Sequence, residues 1–159
     1  MKKSKVNYDN FLADFNLYLC ETFGCRDAAS IDNEHNDGCT VFASDRRFYI
    51  YFRLWEKCNR QLPNMSVVIV HATFRNPKCH CAKCDSCKKY QRTHFEGLLA
   101  FLKSYAPIYG FQNMVIEAGP IDYVSDKTEY GFTPEYLPYE YPWQIVSFNA
   151  LMLPKPNEE

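Results

Sequence analysis

Cys79, Cys81, Cys84 and Cys87 place four thiols within nine residues, as C-x-C-x-x-C-x-x-C. Cys81-x-x-Cys84 and Cys84-x-x-Cys87 each have the spacing whose turn points two sulfurs at one ion, and thiolates bind zinc in a tetrahedron. The expected chemistry is therefore metal binding by Cys79, Cys81, Cys84 and Cys87. Nine residues is a tight span for four ligands, so His80, His94 or Cys58 stands as an alternate ligand. An iron–sulfur cluster is a second possibility, although the trailing Cys-Pro of ferredoxin-type runs is missing. Free thiols or disulfides are a third. An all-cysteine zinc site has no open coordination position, so a structural ion is expected rather than a catalytic one. Four thiolates on one Zn2+ carry a charge of −2, and Lys78, Lys83, Lys88 and Lys89 would screen it.

The charge of the chain is unevenly spread. Residues 75–116 carry seven Lys/Arg against Asp85 and Glu96, whereas residues 117–159 carry two Lys against eight Asp/Glu. The first 74 residues balance at nine and nine, and the net charge is −1. Positive charge thus gathers around the cysteines, as it would for an anionic partner or to compensate thiolates. The basic start Met1 to Lys5 is followed by no apolar run of signal-peptide length, so a reducing, cytoplasmic setting is expected. There, clustered cysteines are metal ligands more often than disulfides. No run of 18 apolar residues exists, so no membrane span and no membrane partner are expected.

The elements that must position these cysteines can be read from periodicity. Phe11, Leu12, Phe15, Tyr18, Leu19 and Phe23 repeat at helical spacing over residues 7–23, with Asn7 or Asn10 as cap and Gly24 as terminator. Residues 25–38 are Asn/Asp-rich and read as a loop. Residues 39–43 and 48–55 form a hairpin across the polar turn 44–47, and residues 56–64 a polar linker. The β-branched run 66–74 reads as a central strand buried on both faces, with His71 inside it as a hydrogen-bonded core residue or a ligand. After the cysteines, Thr93 and Glu96 match a capping box, so a helix is expected to begin there and to end at Pro107 and Gly110. Residues 114–118 form a short buried strand and residues 121–130 a short helix ended by Gly131. Residues 136–141 and 143–153 are two further strand candidates, and 154–159 a disordered tail.

This order makes an α/β fold: a mixed, mostly antiparallel central sheet flanked by helices, with the cysteine loop 79–87 inserted between the central strand and the following helix. The whole chain, residues 1–159, is expected to form one domain. From Val67 to Leu153 the chain resembles the acetyl-CoA-dependent N-acetyltransferase (GNAT) family. The resemblance rests on the strand 67–74, the segment 97–106, Tyr109-Gly110-Phe111, the strand 115–118, Glu129-Tyr130-Gly131-Phe132 and a closing pair of strands. In that family the central strand offers backbone groups to the pantetheine, and the loop after it cradles the pyrophosphate at a helix N-terminus. The resemblance implies acetyl-CoA as cofactor, an amine acceptor, and cofactor contacts at Ala72, Phe74, Gln91, Arg92 and Thr93. It implies Glu117 as a base and Tyr130 as an acid; the family's usual tyrosine position is occupied by Lys127. The family's glycine-rich pyrophosphate loop corresponds here to Tyr90-Gln91-Arg92-Thr93-His94-Phe95, which has no glycine, and Glu96 would stand at the start of the expected helix.

Two functions follow as expectations. One is a divergent acyltransferase using acetyl-CoA. The other is a non-catalytic, zinc-containing GNAT-like protein that binds a protein partner, with Tyr136, Tyr139, Tyr141 and Trp143 as anchors. Nucleic-acid binding through the basic loop is the weakest of the three, because the whole chain is slightly acidic.

Overall fold

Aromatic residues at helical spacing decide how the first helix sits. In the computed structural model, which describes residues 6–58, 62–79, 81, 83–117, 127–135 and 143–153, helix α1 spans Tyr8–Phe23. Asn7 caps it by accepting a hydrogen bond from the Asn10 amide at 3.0 Å, and Gly24 ends it in the left-handed conformation. Its buried stripe, Tyr8, Phe11, Phe15, Leu19 and Phe23, lies on one face of a sheet. Among the described residues no helix is long and apolar enough to cross a membrane.

Among the described residues seven strands form that sheet: β1 (Ala29–His35), β2 (Gly38–Asp45), β3 (Phe48–Trp55), β4 (Ser66–Phe74), β5 (Asn113–Ile116), β6 (Thr133–Glu135) and β7 (Trp143–Ser147). Their order is β1-β2-β3-β4-β5-β7-β6. Only β4 and β5 run parallel; the other pairs are antiparallel. A parallel pair needs a crossover, and helix α2 (Asp85–Tyr105) supplies it. The expected mixed, mostly antiparallel sheet is therefore present.

Both helices pack on one face of the sheet. β3 alternates cleanly: Phe48, Ile50, Phe52 and Leu54 are buried, while Tyr49, Tyr51, Arg53 and Trp55 look the other way. Phe52 touches the rings of Phe11 and Phe15, and both of these also contact Phe101 of α2. Leu98, Leu99 and Leu102 join the same cluster as Val67 and Ile69. The opposite face carries a smaller cluster of Leu62, Val68, Val115 and Trp143. The helices expected to flank the sheet are present, and among the described residues α1 and α2 share one side.

β4 contains a bulge. Tyr51 pairs with His71 but Phe52 pairs with Ile69, so Val70 is an extra residue. The bulge reverses the alternation, which keeps Ala72 and Phe74 on the helical face with Val67 and Ile69. It also divides the strand: Ser66 to Ile69 are buried on both faces, whereas Val70, His71 and Thr73 are half-buried. His71 edges onto Tyr49 and lies 3.4 Å from the Thr73 hydroxyl, with no metal-ligating group gathered around it among the described residues.

Three expectations change. The segment 25–38 is not simply a loop, because Ala29–His35 pairs with β2 despite its polar composition. β1 is an edge strand with mostly exposed side chains, so it lacks the apolar alternation that marks a strand. The β1–β2 turn places Gly38 so close to β3 that a Cβ there would stand 2.0 Å from the Leu54 carbonyl oxygen. β6, Thr133–Glu135, was too short and too polar to register in the pattern. Most of the expected helix 121–130 and the expected strand 136–141 lie outside the described residues, as does the tail 154–159; Lys127–Tyr130 forms a 3-10 turn.

Candidate metal centre

The cysteine loop is built by the end of β4 and the start of α2. After Phe74 the chain turns at Asn76, whose side chain accepts from the Lys78 amide at 3.0 Å and whose carbonyl accepts from the Cys79 amide at 3.3 Å. α2 then begins at Asp85 with Cys84 as its N-cap. The Cys84 sulfur accepts from the Cys87 amide at 3.4 Å, and the Cys84 carbonyl accepts from the Lys88 amide at 3.0 Å. The expected capping box is therefore corrected: Thr93 and Glu96 lie well inside α2, and the helix starts at the cysteines. The earlier start follows from Cys84 acting as a thiol cap, for which Ser, Thr, Asp and Asn are the usual signals.

This local geometry brings the four thiols together. The sulfurs of Cys79, Cys81, Cys84 and Cys87 all lie within 4.8 Å of one another. Cys79 stands 3.4 Å from Cys81 and 3.7 Å from Cys84. Thiolates at about 2.3 Å from one ion, arranged tetrahedrally, have sulfur–sulfur edges of ~3.8 Å. The four sulfurs could therefore hold one metal ion such as zinc. Cys87 is buried, Cys79 and Cys84 are partly buried, and Cys81 is exposed. Hydrogen bonding from the Cys84 thiol, then from the Lys83 backbone amide, draws the Cys81 thiol down to about 6. The start of α2 adds its dipole to the stabilisation of thiolates.

The alternate ligands are not part of this group. His94 is packed among Phe23, Phe74 and Tyr90, and burial pushes its pKa down. The Cys58 thiol donates to the Pro63 carbonyl at 3.1 Å, beside the cluster on the other face of the sheet. His80 lies outside the described residues.

The remaining expected site residues fall into two places. Ala72 and Phe74 lie in the second half of β4, and Gln91, Arg92 and Thr93 lie within α2, one to two turns past its start. A cleft of about 440 Å³ beside the cysteines is lined by Thr73, Phe74, Arg75, Asn76 and Gln91, together with Cys79 and Cys87. Arg92 is committed elsewhere, bonding Glu96 at 3.1 Å and pairing with Glu129. Glu96 also accepts from the Tyr130 hydroxyl at 2.8 Å. Burial first, and then that bond, pushes the Tyr130 phenol well above its ordinary range.

Glu117 is elsewhere. It follows β5 on the same side as Val115, away from the helices, and lies 3.5 Å from Arg53 in a cleft of about 570 Å³ with Trp55 and Trp143. Its Oε2 is buried and accepts no hydrogen bond from the described residues. Tyr130 belongs to the helical-side core. The structure does not bring Glu117 and Tyr130 together: Glu117 follows β5 on the face away from the helices, and the 3-10 turn carrying Tyr130 packs it into the helical-side core. Trp143, expected as an exposed anchor, is buried; Tyr136, Tyr139 and Tyr141 lie outside the described residues. The Arg53–Glu117 pair had no local sign in the sequence.

Comparison with family models, with curated proteins and with solved structures finds no significant match.

Proposed function

We propose that this chain is a divergent GNAT-like acyltransferase relative, with zinc held by Cys79, Cys81, Cys84 and Cys87, that binds an acyl-CoA such as acetyl-CoA and acts on an amine. The observation that carries this reading is the β4–α2–β5 parallel crossover followed by the antiparallel pair β6 and β7. That is the element order on which the resemblance rests. Among the described residues β4 pairs with β5 from Ser66 to Ile69, and β4 runs on to Phe74 beside the 440 Å³ cleft. A pantetheine arm would lie along that strand. Zinc is preferred to an iron–sulfur cluster because the sulfurs are spaced for one ion, whereas a cluster spreads its thiolates over several irons.

Titration calorimetry of the zinc-loaded protein with acetyl-CoA is expected to give saturable heat with Kd below about 1 mM. No heat at millimolar ligand would sink the reading.

A second reading has its own support. The first-turn amide of Cys87 is spent on the Cys84 sulfur, where a pyrophosphate would otherwise be held. Glu117 is ion-paired, and Tyr130 is buried on the other face. These favour a non-catalytic zinc protein that binds a protein partner. Acetyl transfer to a polyamine, measured by release of free CoA thiol, separates the two. The second reading expects none; turnover that drops at least about tenfold in Glu117→Gln would remove it.

A further inference from the structure

We propose that the surface around the cysteine loop binds single-stranded nucleic acid. The fold adds to the basic loop a second basic segment that is distant in sequence. The Arg75 amide donates to the Arg47 carbonyl at 2.7 Å, which sets the β2–β3 turn, with Arg46 and Arg47, against the segment leading to the cysteines. The Asn76 side chain in turn reaches Ser86 of α2 at 3.4 Å. Arg46, Arg75, Lys78, Lys83, Lys88 and Lys89 are all exposed at this end of the sheet, and none forms an ion pair among the described residues.

The local charge is decisively positive. Arg47 is matched by Asp45 at 3.2 Å, which leaves six cations facing Asp85 and the −2 charge of a zinc tetrathiolate. Compensation of the thiolates therefore does not use up the lysines and arginines. The slightly acidic total does not cancel this patch, because exposed charges more than about 10 Å apart are largely screened at physiological salt. Arg92, tied to Glu96 and Glu129, takes no part.

Single strands fit better than duplex. A groove of about 350 Å³ between Lys78 and Lys89 is walled by Tyr90 and His94, whose rings lie 4.4 Å apart. His94 is packed on Phe23 and Phe74, so the half-buried Tyr90 ring is the one that borders the groove, and an unpaired base offers a face to stack on it where a duplex does not. The proposal stands apart from the acyl-CoA reading, and either can fail while the other holds.

The test is fluorescence anisotropy of the zinc-loaded full chain with a labelled oligothymidylate of about fifteen nucleotides. Four phosphate contacts at roughly 0.7 each predict a log–log salt slope near −3, or a loss of affinity of about 50-fold between about 50 and 200 mM salt. Lys88→Gln with Lys89→Gln should flatten the slope by roughly 1.4. Tyr90→Leu, which keeps bulk but removes the ring, should weaken binding by about tenfold at unchanged slope. Absence of binding at low salt, a salt-independent affinity, or an unchanged slope in the double variant would overturn the proposal. So would equal competition by polyglutamate, which would point to an acidic protein surface, or by duplex DNA of the same length.

Discussion

Stripping metal from the cysteine loop is expected to lower the melting temperature by on the order of 10 °C. The loop joins β4 to α2, and its four sulfurs lie within 4.8 Å of one another. Without an ion, only weak thiol hydrogen bonds, the Asn76 turn and the Cys84 cap are seen to order the segment among the described residues. Loss of a structural metal belongs to the small class of changes that exceed the roughly 0.5–3 kcal/mol of most substitutions. Cys84 allows ligand and cap to be told apart. Serine is a better N-cap than cysteine but a poor zinc ligand, so Cys84→Ser should leave stability unchanged if Cys84 only caps α2. The expectation is a large loss of stability together with a loss of bound zinc, read by calorimetry and by metal analysis. Protein that carries no metal when purified in zinc and melts identically with and without chelator would refute the metal site.

Phe52→Ala is expected to cost about 3–5 kcal/mol, read from urea unfolding. Phe52 is fully buried at the point where β3 meets α1, with ring centroids 5.2 Å from Phe15 and 6.1 Å from Phe11. Those two rings hold Phe101 of α2 in turn, so one truncation opens a void between the sheet and both helices. The neighbouring Tyr49 points to the other face and is 38% exposed. Tyr49→Ala should therefore cost under about 1 kcal/mol. Equal effects at the two positions would contradict the one-sided placement of the helices.

Much of this architecture is legible residue by residue. The Phe11–Phe15–Leu19–Phe23 stripe, the alternation of Phe48 to Trp55 and the β-branched run from Ser66 are each dictated by the local period of side chains. β1 was hidden because its partner, not its composition, makes it a strand. The start of α2 was misread because the Thr93/Glu96 pair satisfies a capping pattern that a helix already under way has no use for. Glu96 instead bridges Arg92 and Tyr130, a contact 34 residues apart in sequence that periodicity cannot reveal.

Four cysteines at this spacing bring together a cluster that could hold a metal ion, since the geometry is local and the turn that forms it spans nine residues. Aromatic and β-branched periodicity likewise determines an α/β domain with a buried central strand. The fold alone settles which distant groups meet. It puts Glu117 on the face away from the helices and packs Tyr130, in a 3-10 turn, on the helical side, and it lays the Arg46–Arg47 turn beside the segment leading to the cysteines through β3–β4 pairing. Such meetings depend on register and on which face a residue takes, and a single residue such as the bulged Val70 reverses both.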